Sequence, residues 1–362
     1  MHLVINASEI GRRRGGNESY LLGLIWGLAA LPRQPHVSLL TCRWDSMPPV
    51  PPSFTRVNLG TYRRLNFFLW QQTLALYRLR ADWYLSNFFL PPLLPCKGIV
   101  VVHDLSFCAH PEYFPTFVAW YMRRLTGMAV RQAHLIVTVS EFSRRELLRF
   151  YRLDQGKVVS IHNGVGAEFR PASDDATAAA DQATIARYGV TPPYILAVGN
   201  IHPRKNLARL LDAYLLLRER RPETPQLVWA GMERWGSSTL LKRARAAGVV
   251  PTGFVAQSDL PALYRQASML VYPSLYEGFG LPPVEAMASG TPVITSNTTS
   301  LPEVVGDAAL LVDPTDTTAI AYAMEQLLDD DALRNHLRQA GLERAAKFTW
   351  QRTAHCLLEQ LR

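Results

Sequence analysis

A chain of 362 residues with 48% hydrophobic content is long enough to bury a large core and to form two domains. Its 38 Lys and Arg against 30 Asp and Glu leave a formal charge of +8, which favours acidic partners such as nucleotides or phospholipids without choosing among them. Four scattered cysteines, Cys42, Cys96, Cys108 and Cys356, show no CxxC pairing, which argues against a zinc site or a disulfide framework and predicts free buried thiols.

In chain order, apolar β-rich runs alternate with helical stretches, a rhythm that predicts parallel sheets covered by helices. The first half offers strands at residues 2–6, 36–40, 83–85, 98–102, 135–139 and 157–161, with helices at 19–31 and 116–133 among them. The first strand begins almost at Met1, which leaves no room for a signal peptide, and no apolar run reaches the roughly 20 residues of a membrane span, so a cytoplasmic protein is expected. The segment 63–80 mixes basic ends with Phe67, Phe68, Leu69 and Trp70. It is amphipathic enough to touch an anionic membrane surface or lie on a lipid-linked substrate, and a core helix with solvated arginine ends explains it too. The aromatic and basic modules of a nucleic-acid reader are not visible.

Residues 171–187 are polar and Ala-rich without a large apolar cluster, as a surface linker with a short helix would be. The strand rhythm then restarts at 194–198, 226–230, 249–250, 269–272, 292–295 and 309–312, and the chain closes on helices at 331–347 and 350–361. Two Rossmann-like units in tandem follow, and no short-period repeat interrupts them.

Several segments can carry chemistry. Arg12, Arg13 and Arg14 precede Gly15 and Gly16 after the first strand, where backbone N–H groups can meet a phosphate. The spacing is not that of a dinucleotide fingerprint, and a plain strand-to-helix turn explains it as well. His103, beside Asp104, follows the apolar run 99–102 and can orient a sugar hydroxyl or be a buried structural histidine. Arg204 and Lys205 follow the strand at 194–198, at the carboxyl edge where open α/β sheets bind ligands. A guanidinium fork and a point-charge ammonium there can neutralise a diphosphate. In the run from Glu277 to Glu285, Gly278, Phe279, Gly280 and Leu281 form a glycine turn opening a helix, with Pro282 expected at its first position. The exposed amides of residues 278–281 and the helix dipole make an anion site, while Glu285 can bind a ligand or merely complement the dipole. The acidic clusters Asp174–Asp175 and Asp329–Asp331 fall in the linker and at a helix end and read as solvated charge, so no metal is expected.

Taken together, these segments resemble the retaining glycosyltransferases of family 4, which have the GT-B fold. The resemblance covers nearly the whole chain. It rests on the Gly15-Gly16 turn and on Val101-Val-His-Asp-Leu105, Val139-Ser-Glu-Phe-Ser143 and Ile161-His-Asn-Gly-Val165 in the first half. In the second half it rests on Val198-Gly-Asn-Ile-His-Pro-Arg-Lys-Asn206, Gly253-Phe254 before Asp259-Leu-Pro-Ala-Leu-Tyr264, and Glu277 to Glu285 running into Ser289-Gly-Thr-Pro-Val293. It implies two Rossmann-like domains facing across a cleft: an acceptor-binding domain at 1–170, a linker at 171–192, a nucleotide-sugar domain at 193–347 and a helix at 348–362 returning to the first domain. Arg204 and Lys205 would hold the donor diphosphate and offset its growing charge. Glu277 would bind donor-sugar hydroxyls, Glu285 the ribose hydroxyls and His103 the sugar. Gly15 and Gly16 would close over the phosphates, and the charged approach of Arg12 to Arg14 with Asn17-Glu18 departs from the pattern there.

The resemblance further implies a retaining, metal-independent hexosyltransferase with no protein nucleophile and no cofactor beyond its nucleotide-diphosphate sugar. The segments around His202 and Gly306 to Asp313 are similar to those of mannosyltransferases, which makes GDP-mannose the first donor expected and a UDP-hexose the second. The expected acceptor is a saccharide or lipid-linked saccharide of a surface polysaccharide, with peripheral contact to the inner membrane face. Alternatives are a GT-B enzyme with a small soluble acceptor, a sugar-nucleotide epimerase, or a catalytically silent partner subunit.

Overall fold

The strands of the first sheet are β1 (His2–Asn6), β2 (His36–Thr41), β3 (Thr55–Asn58), β4 (Trp83–Asn87), β5 (Lys97–Val102), β6 (Leu135–Thr138) and β7 (Val158–Ser160). Those of the second are β8 (Tyr194–Val198), β9 (Gln226–Ala230), β10 (Val250–Gly253), β11 (Met269–Tyr272), β12 (Val293–Ser296) and β13 (Leu310–Val312). The computed structural model describes residues 1–11, 15–42, 47–60, 66–233 and 238–362; Arg12, Arg13 and Arg14 and the start of the segment 63–80 lie outside them. Each sheet belongs to its own compact unit, the first being Met1–Gly164 with Thr349–Arg362 and the second Val165–Phe348.

Every strand pairing is parallel. Helices cover both faces of such sheets, so central strands read as continuous apolar runs. Leu3, Val4 and Ile5 of β1 and Ile99 to Val102 of β5 are accordingly fully buried. The edge strand β3 was not expected from the sequence; apart from half-buried Val57 its residues are exposed, so it lacks the apolar signature of its neighbours.

The strand orders are β3-β2-β1-β4-β5-β6-β7 and β10-β9-β8-β11-β12-β13. In both sheets the chain winds outward one way and then restarts the other way, so switch points lie between β1 and β4 and between β8 and β11. Loops leaving the carboxyl ends of those strand pairs diverge and open a crevice for ligands. Helix Leu207–Arg220 covers one face of the second sheet and buries Leu207, Leu210, Leu211, Tyr214 and Leu217, the spacing of a single apolar stripe. Each fully buried leucine there contributes about 2 kcal/mol.

The segment read as a linker is built differently. Asp174 caps helix Asp175–Ala186 by accepting from Thr177 N at 2.7 Å. The helix packs in the second unit through Asp181, which takes both Arg265 Nε and Nη2 at 2.6 Å. The second unit starts at Val165, ahead of the expected linker, and this helix docks in it through the Asp181–Arg265 ion pair together with fully buried Ile185. Asp330 caps helix Asp331–Ala345 through Leu333 N at 2.8 Å, so both acidic clusters serve helix starts. The four cysteines form no disulfide and are half-buried rather than buried.

Helix Trp350–Glu359 belongs to the first unit. Thr353 Oγ1 donates to His162 O at 2.7 Å, and Trp350 occupies a space bounded by glycines of helix Gly16–Ala29. A Cβ at Gly23 would come within 2.0 Å of the indole and one at Gly27 within 2.2 Å of the Trp350 carbonyl. Gly164 meets the Trp350 amide in the same way, at 2.1 Å.

Candidate active site

The carboxyl ends of β8 and β11 bring together Arg204, Lys205 and Glu277. After β8 the chain passes Gly199 and enters a short 3-10 turn, Pro203–Lys205, which His202 caps by accepting from Arg204 N at 3.3 Å. Gly199 has φ 134° and leaves room for the Lys205 side chain, whose Cε would lie 3.3 Å from a Cβ there. Asn206 ties this turn to the end of β11 by donating to Pro273 O at 3.0 Å and Pro314 O at 2.6 Å. Leu275 N donates to Arg204 O at 2.8 Å. Two cations on one loop and a carboxylate on the other are thereby brought together.

Arg204 Nη1 donates to Glu277 Oε2 at 2.7 Å and to Tyr276 O at 3.1 Å. Lys205 Nζ donates to Glu277 Oε1 at 2.6 Å. Tyr272, the last residue of β11, donates its hydroxyl to the same Oε1 at 2.9 Å and also meets Lys205 Nζ, with Nζ 4.6 Å from its ring centre. Burial works to raise the Glu277 pKa, yet Arg204 and Lys205 overcome it and hold the carboxyl down to about 2. With Lys205 only 11% and Glu277 7% exposed, these charges persist because each is paired and hydrogen-bonded. Their sum is one net positive charge at a switch point.

The turn after Glu277 differs in detail from expectation. Gly280 is the left-handed residue, at φ 100°, and a Cβ there would strike Leu301 Cδ2 at 2.7 Å. Leu281 rather than Pro282 opens the helix Leu281–Ala288, so Pro282 and Pro283 remove two of its first N–H groups. Residues 276–280 are buried, not exposed. Ser300 Oγ fixes the turn by donating to Glu277 O at 3.0 Å and Phe279 O at 3.1 Å, and Thr299 Oγ1 accepts from Glu277 N at 3.3 Å.

Glu285, one turn further on, lies in a different environment. Its Oε2 accepts from Tyr264 OH at 2.8 Å. Burial raises its pKa to about 7, with the Tyr264 bond pulling down and Glu168 adding to the rise. It is thus more than a dipole partner at a helix start, since it is buried and half-protonated near neutrality.

Gly15, Gly16 and His103 belong to the first unit. Gly15 takes φ 76° ahead of helix Gly16–Ala29, and Glu18 of that helix accepts from Gly11 N at 2.8 Å. His103 lies just past β5, against Tyr20 at 4.7 Å and Phe88 at 5.6 Å between ring centres. Burial drives its pKa down to about 4 against the pull of Asp104. Its Nε2 is buried without a hydrogen-bond partner, while Asp104 accepts from Ser106 N and Oγ at 2.9 and 2.6 Å. His103 is therefore a neutral imidazole with one nitrogen unused. Asn87, at the end of neighbouring β4, likewise has both amide atoms buried and unpartnered, and Phe88 beside it is held at φ 59°, a strain that bulky residues adopt only where surroundings impose it.

Sequence reasoning missed Tyr272, Tyr264, Thr299, Ser300 and Asn87. Strand-end aromatics read as core, but the run Thr298-Thr299-Ser300 just after β12 was a polar signal at a carboxyl edge.

Two doubly wound parallel sheets, one with a cationic cluster and a glycine turn at its switch point, define a doubly wound α/β protein, a class that binds ligands in such crevices. Residues 14–169 match the family model described as glycosyltransferase family 4, and residues 183–344 that of glycosyl transferases group 1. The O-antigen chain mannosyltransferase B of Escherichia coli is 38% identical over 314 residues, 81% of each chain. The serotype-specific mannosyltransferase WbdA of Escherichia coli is 34% identical over 275 residues, which are 74% of this chain and 33% of that protein. Sucrose-phosphate synthase from Thermosynechococcus elongatus has the same fold, with a TM-score of 0.77 at 23% identity over 100% of this chain and 98% of that one. The chain belongs to the family 4 glycosyltransferases and has the GT-B fold.

Proposed function

We propose that this enzyme transfers mannose from GDP-mannose, with a UDP-hexose as the second donor to test, to a saccharide or lipid-linked saccharide of a surface polysaccharide. The observation that carries the donor side is the largely buried Arg204–Glu277–Lys205 cluster, in which two cations share one carboxylate and leave one net positive charge. A departing nucleoside diphosphate gains negative charge as the glycosidic bond breaks, and preorganised cations stabilise that charge most in a water-poor site. The mannose assignment is supported by the names of both relatives, one of which refers to the O-antigen chain.

Arg204 and Lys205 hold the diphosphate, with the start of helix Leu281–Ala288 beside them. Glu277 fixes both cations and keeps one acceptor site on Oε2 for a sugar hydroxyl. Glu285 accepts from ribose hydroxyls, with Tyr264 orienting it. Gly15 and Gly16 approach the phosphates, and His103 offers neutral Nε2 to the sugar. The acceptor hydroxyl attacks the anomeric carbon on the face the diphosphate leaves. One C–O bond forms as the other breaks, the hydroxyl proton passes to the departing phosphate oxygen, and configuration is retained without a protein nucleophile. Arg204 and Lys205 take the part a divalent ion would play, so no metal is required. The reaction takes place in the cytoplasm at the inner membrane face.

A thermal-shift panel of GDP- and UDP-linked sugars tests the donor, since a ligand that binds only the folded state raises Tm with its concentration. GDP-mannose should give the largest shift; a shift confined to UDP-sugars would overturn the mannose assignment. Glu277→Ala should abolish transfer while nucleotide still binds, and unchanged turnover would remove Glu277 from the site. Activity that vanishes with chelator and returns only with Mn²⁺ would refute the metal-free mechanism.

A further inference from the structure

The first unit exposes apolar side chains in an ordered way. Trp70, Leu74 and Tyr77 recur at the spacing of one helical face along Phe67–Gln71 and Gln72–Leu79. Phe117, Trp120, Arg124, Met128 and Arg131 do the same along helix Thr116–Gln132. The loop after β4 joins these helices. Thr73 Oγ1 donates to Leu93 O at 2.7 Å, Gln132 Nε2 donates to Pro91 O at 3.0 Å and Pro92 O at 3.2 Å, and Phe89 meets Tyr121 at 6.2 Å between ring centres. Trp70, Tyr77, Leu93, Phe117, Trp120 and Met128 are each more than half exposed, and such a gathering of large apolar groups on a soluble surface marks an interaction site.

Its charge selects the partner. Neither helix contains Asp or Glu, nor does the loop between Asn87 and Lys97, whereas Arg78, Arg123, Arg124 and Arg131 are all exposed. The flanking carboxylates are engaged: Asp82 accepts from His2 N at 2.6 Å, and Glu112 pairs with His110 at 3.0 Å. A second copy would bring like charges together. An anionic bilayer complements both features, because tryptophan and tyrosine settle at headgroup level and each arginine near the surface adds about 1 kcal/mol of attraction.

We infer that this two-helix face is a docking surface for anionic phospholipid, seating the first unit on the bilayer with Trp70, Phe117 and Trp120 inserted and Arg78, Arg123 and Arg124 at the headgroups. The inference rests on the proposed lipid-linked acceptor only for its purpose; the surface stands on its own residues. Among the described residues no helix is long and apolar enough to cross a membrane, which suits a protein that lies on one.

The test is sedimentation of the full chain with vesicles of phosphatidylcholine alone or with phosphatidylglycerol added. Wild type should bind the anionic vesicles, more weakly at high salt, with a blue shift of tryptophan emission. The triple variant Trp70→Ser, Phe117→Ser, Trp120→Ser should lose binding. Arg123→Gln with Arg124→Gln should weaken it by about tenfold or more. Both variants should keep wild-type thermal shifts with nucleotide sugars, which separates a failure of docking from a failure of the donor reading. Equal binding by wild type and triple variant, no binding by wild type, or a wild-type dimer that the triple variant dissolves would each overturn the proposal.

Discussion

The Arg204–Lys205–Glu277 cluster follows the two strands that flank the switch point of the second sheet, β8 and β11, while His103 follows β5, one strand from the switch point of the first, and the two sites treat ionisable groups in opposite ways. In the second unit three charges survive burial because each has a partner within hydrogen-bond reach. In the first, the imidazole has no such partner at Nε2 and burial keeps it neutral. Burial alone therefore does not decide charge state; the counter-charge built beside the group does.

Arg204→Ala and Lys205→Ala test the first half of that contrast most severely, and each should lower kcat by about 10²–10³-fold. If either kept wild-type kcat, the cluster would be structural only. Glu277→Ala should also destabilise the fold by about 3–5 kcal/mol by leaving two cations uncompensated, read as a fall in denaturation midpoint. His103→Leu should behave in the opposite sense. It removes an orphaned polar atom, so Tm should hold or rise while transfer falls about tenfold; a loss of both would mean that the imidazole supports the fold.

The pH dependence of stability is subtler. His103 binds its proton more weakly folded, at about 4 against an ordinary 6.5, so its contribution is full above pH 6.5 and lost as pH falls to 4. Glu285 binds its proton more tightly folded, at about 7 against 4.5, so its contribution is full below pH 4.5 and lost as pH rises through 7. Between pH 4.5 and 6.5 the two slopes oppose each other. Glu285→Gln should expose a rise of stability with pH there, and His103→Gln a fall, in denaturation series at fixed ionic strength. The smallest effect belongs to Tyr272→Phe, which should cost about 1 kcal/mol of stability and a few-fold in kcat through a looser Lys205.

Much of this was legible in the sequence, and the limits have physical causes. Central strands such as β1, β8, β9 and β11 stand at the predicted residues, because burial on both faces forces unbroken apolar runs. The edge strand β3 escaped, and so did the docking of helix Asp175–Ala186, which rests on the Asp181–Arg265 fork and the single apolar anchor Ile185, too little for a hydrophobic pattern to show. Arg204, Lys205 and Glu277 were each picked out by their place after a strand, but 72 residues separate Lys205 from Glu277, and their pairing depends on Asn206 clasping two distant carbonyls. Tyr272 and Tyr264 were hidden because a buried tyrosine looks like core until its hydroxyl finds a carboxylate.

The glycine-lined seat of Trp350 carries a consequence for how the molecule is made. The helix that fills it is translated only after all of Val165–Phe348 has been synthesised, so during synthesis the second unit can fold while the first still shows an empty groove along Gly23, Gly27 and Gly164. A helix made after the second unit thus finishes the first, and a nascent chain stopped short of Trp350 would present chaperones and proteases with an unsealed apolar slot.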